Sequence, residues 1–321
     1  MTALDAVPRI GADDLVALVP PADAVRALAE ALHGGLDPEA EPARTITDLT
    51  SGQLLLMPSE GAGYAGVKIA SVAPGNPARG LPRIGAVYVL LDAATLLPVA
   101  LLDGTALTSL RTPAVSALAV RHLLPSGEEP LRVVVFGAGP QAWGHIEALA
   151  TVRAFGHVTV VGRSPRPAAE VVARCEAEGV AAEAGTADAV ASADVVLCCT
   201  SAREPLFDGA LVRDGAVVVA VGSHEPDARE LDSALVARAA KTGALVVESR
   251  AAALREPGDI LVPLGEGVLE ATALAPLADL VTGRLAAPGP GPRVFKSVGM
   301  GWEDLVVAGA AHRRISEALS V

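Results

Sequence analysis

The sequence predicts an α/β protein of two parts, one a doubly wound parallel sheet and the other an α+β domain. Three observations predict it. From residue 131 onward, β-branched apolar runs alternate with stretches of helix length, the pattern of strand–helix–strand crossovers. The first of these runs breaks at Gly137-Ala138-Gly139-Pro140-Gln141-Ala142, a G-x-G-x-x-A turn placed where a strand ends and a helix begins. The N-terminal third instead strings short strand-like segments between Gly and Pro, with few helices among them.

Taken in order, a helix near 21–33 precedes strand-like segments at 45–50, 53–57, 65–72, 84–92 and 97–103. A helix from about Thr108 to Leu124 leads into the second pattern. There, strands at 131–136, 157–162, 194–199, 216–221 and 244–248 are interleaved with helices near 141–154 and 167–178. Gly258 with Glu256 and Asp259 reads as a loop carrying solvated carboxylates. A last helix spans Trp302 to Leu319. Gly299 and Gly301 precede it, and Glu303 and Asp304 sit in its first turn, where negative charge suits the helix dipole. Coming after the last strand, this helix is expected to complete the first region. The domains are then residues 1–128 with 299–321, and residues 129–298.

Composition removes several classes. A formal charge of −12 and 2% aromatic residues argue against nucleic acid, which selects basic surface and stacking platforms. No apolar run reaches the roughly 18 residues of a membrane helix. Gly85–Leu102 comes closest and is interrupted by Asp92 and Pro98. With Asp5, Asp13 and Asp14 near the N-terminus and no secretory signal, a cytoplasmic protein is expected. Cys175, Cys198 and Cys199 have no zinc or disulfide spacing and read as structural thiols. His33, His122, His145, His157 and His312 show no metal spacing.

The Gly-rich turn is the signature of a Rossmann dinucleotide site. Gly137 allows the tight turn, Gly139 lets the pyrophosphate approach the backbone, and Ala142 lets helix and sheet pack closely. A site preferring NAD ends its second strand on a carboxylate. Here the run is Gly162-Arg163-Ser164-Pro165-Arg166, and Arg163, Ser164 and Arg166 suit a 2′-phosphate. NADP(H) is expected over NAD(H). Thr200 and Gly222, after the next strand-like runs, join the expected cofactor contacts. In the first region Lys68 lies inside an apolar run, where an unpartnered ammonium is costly, and Arg111 starts an apolar helix. With Arg44, three cations converging on one cleft would suit a substrate carboxylate, while each read alone is better explained as a solvated or salt-bridged residue.

Lys68, Gly75-Asn76 through Gly80, Asp103-Gly104 to Leu107-Thr-Ser-Leu-Arg111-Thr-Pro-Ala and Gly137-Ala-Gly139-Pro-Gln occur in an order that resembles the ornithine cyclodeaminase/mu-crystallin family. So do Gly222-Ser-His-Glu-Pro-Asp-Ala-Arg-Glu-Leu-Asp232, Glu256-Pro-Gly258-Asp259 and Val294-Phe-Lys-Ser-Val-Gly-Met-Gly-Trp-Glu-Asp304. The resemblance implies a homodimer, with an N-terminal substrate-binding and dimerisation domain beside the Rossmann domain. It implies that Arg44, Lys68 and Arg111 hold a substrate carboxylate, with Lys68 also at the reacting centre, and that Lys296, Ser297 and Gly299 lie near the nicotinamide. Where cyclodeaminases carry an aspartate, this chain has His224, as expected of the mu-crystallin branch. A histidine can donate a proton to a C=N bond being reduced, so Lys68 and His224 are the candidate catalytic residues. The expected activity is reduction of a cyclic imino acid with NADPH. The alternatives are an ornithine or lysine cyclodeaminase or amino-acid dehydrogenase using NAD, and a non-catalytic NADPH-dependent binder of small ligands.

Overall fold

The computed structural model describes residues 7–319. They form two compact units: residues up to Val115 joined by those from Met300 on, and Ser116–Gly299.

The first unit is a six-stranded sheet with helices on one face. Its strands are β1 (Arg9–Ile10), β2 (Thr45–Leu49), β3 (Gly52–Gly61), β4 (Tyr64–Val72), β5 (Ile84–Asp92) and β6 (Pro98–Asp103). They lie in the order β1-β6-β5-β4-β3-β2, antiparallel from β2 to β6, with β1 added parallel to β6. Helices α1 (Ala12–Leu18) and α2 (Pro21–His33) precede β2, and α3 (Gly104–Leu123) follows β6. In register, Met57 on β3 pairs with Lys68 on β4, Lys68 with Tyr88 on β5, and Tyr88 with Leu102 on β6. Residues directly opposite in a sheet share a face, and all four are buried. The helix that returns from the far end of the chain, α10 (Gly301–Leu319), packs on β3 and β4 and against α2.

The second unit is an eight-stranded parallel sheet. Its strands are β7 (Leu131–Phe136), β8 (Phe155–Val161), β9 (Ala182–Ala184), β10 (Val195–Cys198), β11 (Val217–Ala220), β12 (Ala244–Val247), β13 (Ala275–Pro276) and β14 (Arg293–Lys296). Between them run α4 (Pro140–Ala150), α5 (Pro165–Ala177), α6 (Ser233–Thr242), α7 (Arg250–Ala253), α8 (Gly258–Gly265) and α9 (Leu277–Val281). The order β13-β12-β14-β11-β10-β7-β8-β9 grows outward from β7 first to one side, then to the other. The strand order therefore reverses between β7 and β10, the place where open parallel sheets bind ligands at their carboxyl ends. Val134, Phe136, Val196, Val218, Val294, Leu235 and Ile260 fill one core face.

The structure corrects two local expectations. Helix α3 begins at Gly104 rather than Thr108, because Asp103 Oδ1 accepts the amides of Thr105 and Ala106, both at 2.9 Å, and so caps the helix. The segment around Gly258 is a helix, not a solvated loop: Asp259 is fully buried and Glu256 nearly so. Gly258 itself fits because a Cβ there would lie 2.4 Å from Ala228 O. At the start of α10, Glu303 and Asp304 are fully buried.

Trp302, fully buried in the first unit, is the anchor of α10. Trp302→Ala is expected to destabilise the protein by about 3–5 kcal/mol through cavity formation, read as a lowered midpoint in urea denaturation.

Candidate functional site

In the first unit the candidate site is a buried ionic bridge. Lys68 projects from β4 onto the helix-covered face, and Arg111 lies two turns into α3. Asp304, on the first turn of α10, takes both: Lys68 Nζ is 2.7 Å from Asp304 Oδ2, and Arg111 Nε donates to Asp304 Oδ1 at 3.2 Å. Arg111 Nη1 also donates to Glu303 Oε2 at 2.5 Å. Lys68 gives a further hydrogen bond to Thr108 Oγ1 at 3.2 Å, and Thr108 in turn bonds Gly104 O. All four charged groups are at most 4% exposed. Burial, followed by the neighbouring Arg111 guanidinium, brings the Lys68 ammonium down to about 8, with Asp304 opposing the shift.

Arg44 stands just before β2 and is half-buried. Its neighbour Thr45 pairs with Leu56 on β3, next to Met57, the partner of Lys68. Glu41, close by in sequence, receives the Trp302 amide at 3.0 Å and caps α10. Burial raises its carboxyl pKa. A cavity of about 1060 Å³ in this unit is bordered by Glu41, Ser59, Tyr64, Leu305 and Arg313, but neither Lys68 nor Arg111 lines it. Fixed complementary charge, not volume, marks the candidate site.

In the second unit the residues expected to contact a nucleotide stand at and just beyond the strand tips. Gly137 has φ +107°, and a Cβ there would lie 2.5 Å from Cys199 O, so only glycine fits against the end of β10. Gly139 is different: a Cβ there would meet nothing within 4 Å, leaving the space above the turn open. Helix α4 starts at Pro140 without a side-chain cap, so its N-terminus is available to an anion. These features fit a dinucleotide pyrophosphate. Beyond β8, Arg163 is exposed and unpaired among the described residues. Ser164 is the N-cap of α5 but makes no capping bond. Arg166 pairs with Glu170 one turn on, at 3.1 Å. His224 is exposed in the segment after β11. Asp227, in the same segment, pairs with Arg203.

Behind these tips lies a second buried network. Glu230 Oε1 accepts Thr200 N and Thr200 Oγ1 at 2.8 and 2.7 Å, and its Oε2 accepts Gly222 N at 2.8 Å. Asp259 Oδ1 accepts the amides of Glu230 and Leu231, both at 2.8 Å, and its Oδ2 lies 3.1 Å from Lys296 Nζ. Glu248 Oε2 receives Val298 N and Gly299 N at 3.0 and 2.9 Å, fixing the segment that holds Ser297 and Gly299. His145, on α4, bonds Gln141 O and Ser116 Oγ, and burial lowers it to about 4, so it is neutral.

Sequence reasoning missed Asp304, Glu303, Glu41, Glu230 and Glu248 as partners. A signal for two of them was present. The run after Asp304, Leu-Val-Val-Ala-Gly-Ala-Ala, is apolar on every face, so the helix is buried and its first-turn carboxylates need cations. Glu230 and Glu248 carry no such local signal.

The sequence profile of the ornithine cyclodeaminase/mu-crystallin family matches residues 10–318. The ketimine reductase mu-crystallin of Rattus norvegicus is 35% identical over 295 residues, covering 91% of this chain and 90% of that protein. The Delta(1)-pyrroline-2-carboxylate/Delta(1)-piperideine-2-carboxylate reductase of Azospirillum brasilense is 35% identical over 323 residues, covering 100% and 98%. Among solved structures, Thermococcus litoralis Delta(1)-pyrroline-2-carboxylate reductase in complex with NADH and L-proline matches with a TM-score of 0.89. It is 31% identical and covers 97% of this chain and 98% of that one.

The lowered Lys68 pKa has a consequence for stability. Between about 8 and the ordinary 10.5 the folded protein binds fewer protons than the unfolded chain, so stability should rise with pH across that window. Lys68→Met should flatten this slope, measured as urea midpoints at successive pH values.

Proposed function

This chain belongs to the ornithine cyclodeaminase/mu-crystallin family, and we propose that it is an NADPH-dependent reductase of cyclic imino acids such as 1-pyrroline-2-carboxylate or 1-piperideine-2-carboxylate. The observation that carries the reading is the buried Lys68–Asp304–Arg111 bridge. Two cations are held in fixed positions by carboxylates that cannot rotate into solvent. Such preorganised donors suit a small anionic substrate, because no reorganisation is needed when it arrives. With Glu303 and Asp304 present the cluster is neutral, so an added carboxylate calls for a third cation. Arg44, just before β2, would supply it. The Azospirillum brasilense relative is named for reducing these two carboxylates, and the solved pyrroline-2-carboxylate reductase holds L-proline.

A bound reduced nicotinamide supplies hydride to the imine carbon. The open backbone at Gly139 and the uncapped start of α4 would seat its pyrophosphate. Ser297 and Gly299, with Thr200 and Gly222, would border its reactive end. The choice of NADPH follows from the tip of β8, where no carboxylate awaits a ribose hydroxyl and Arg163 and Ser164 have uncommitted donors. Lys68 is cationic at neutral pH yet close enough to its pKa to release a proton, so it is our proton donor to the imine nitrogen. His224, exposed at the tip of β11, is the second candidate. A homodimer is part of the proposal: Ile46, Leu49, Ile84 and Val87 remain exposed on the first unit and offer apolar surface to a second copy.

The test is NADPH oxidation, followed by absorbance, with the two cyclic imino acids as substrates, and with NADH as the alternative donor. Turnover to proline or pipecolate is expected, with NADPH preferred. Oxidation of ornithine with NAD+ in place of that reduction would restore the cyclodeaminase reading. Arg111→Ala should lower kcat/KM for the imino acid by at least about a hundredfold, as a buried charged partner is lost, while NADPH affinity is retained. Arg163→Ala should reduce kcat/KM with NADPH by roughly tenfold or more and leave the NADH value nearly unchanged.

A further inference from the structure

We propose that Glu230 is the positioning residue of the nucleotide site, a buried carboxylate that ties together the carboxyl-end tips of neighbouring strands. The spatial order β14-β11-β10 places these tips side by side. Thr200 follows β10, Gly222 follows β11 and Lys296 ends β14. One carboxylate reaches the first two, through Thr200 N, Thr200 Oγ1 and Gly222 N. Asp259 reaches the third: it grips the Glu230 and Leu231 amides with one oxygen and faces Lys296 with the other. The fit is close, since a Cβ on Gly222 would lie 1.7 Å from Thr200 O and 2.7 Å from Glu230 Oε1. Glu230 is fully buried, so its contacts are with the protein. It touches the backbone that meets the nucleotide, and acts through it.

The inference rests on the reading of this edge as the nucleotide site. Every polar group that bonds the Glu230 side chain donates to it, so the ionised form holds both tips and a protonated one releases a donor. The charged and titratable groups around it are Lys296, Asp259, Cys198 and Cys199. Burial lifts the Glu230 carboxyl to about 7. Lys296 pulls it down and Asp259 pushes it up. The tips should therefore loosen as pH falls through neutrality.

The experiment is nucleotide binding by the full-length protein, followed by fluorescence titration from pH 5.5 to 8.5. NADPH and NADH are both used, because the 2′-phosphate titrates near pH 6 by itself. Wild-type affinity is expected to strengthen with a midpoint near 7 for either nucleotide. Glu230→Gln cannot accept at both oxygens. It should bind about ten- to a hundredfold more weakly and lose the midpoint, since one buried amide is left unpaired. Asp259→Asn removes the neighbouring negative charge, so the midpoint should move to lower pH, a displacement that a purely structural role would not produce. The Asp259→Asn midpoint decides the matter even if Glu230→Gln does not fold. Affinity and midpoint unchanged in both variants would overturn the positioning role alone. Failure of the wild type to bind either nucleotide would overturn the cofactor reading and this inference with it.

Discussion

The first unit depends on one constraint: Asp304 is buried, and a buried carboxylate must be neutralised by charge that is held in place. Lys68 and Arg111 meet that need from β4 and α3, so three elements far apart in sequence are pinned at one point. The gain lies in uniqueness more than in stability. Replacing such a cluster by apolar groups is often neutral or better, whereas breaking one partner of a buried pair costs about 3–5 kcal/mol. A cluster this expensive to disturb fits a site kept for chemistry, and the same fixed charges that order the fold would orient an anionic substrate.

The second unit meets the same problem at the edge of its sheet. Parallel strands that end together leave amides pointing past the last ladder bond, and buried amides need acceptors. Glu230 supplies them at the tips of β10 and β11, Glu248 supplies them after β14, and Asp259 in turn holds the Glu230 and Leu231 amides. Side-chain carboxylates here extend the hydrogen bonding that the strands cannot continue. Both units thus bury charged groups whose partners come from other elements, which fixes those elements against one another.

Much of the architecture was legible because its signals are local. The alternation of apolar runs marked β7, β8, β10, β11 and β12, and the Gly137–Ala142 turn announced the sheet edge. What stayed hidden follows from the same physics. Helix α8, Gly-Asp-Ile-Leu-Val-Pro-Leu-Gly, has no amphipathic period and contains Pro263, so pattern reading gives a loop. Strand β14, Arg-Val-Phe-Lys, has a cation at each end, so no uninterrupted apolar run marks it. At the site, Lys68 and Arg111 stood out as cations in apolar runs, and the structure joins them. Their partner Asp304 lies 193 residues from Arg111, a separation no local window spans. The place of Arg166 in the sequence suits a phosphate, and in the fold it pairs with Glu170 on an exposed helix face.

The first unit is discontinuous, made from residues up to Val115 and from Met300 on. On the ribosome its sheet emerges long before α10 does. At roughly 5–20 residues per second, about 10–40 s separate the two. Through that interval the Lys68 and Arg111 cations and the apolar row of Met57, Tyr88 and Leu102 await the helix that covers them. The Ser116–Gly299 unit has its whole sequence available first. The nascent chain therefore holds an incomplete, sticky half-domain while it builds the second one, a state in which chaperone binding is most useful.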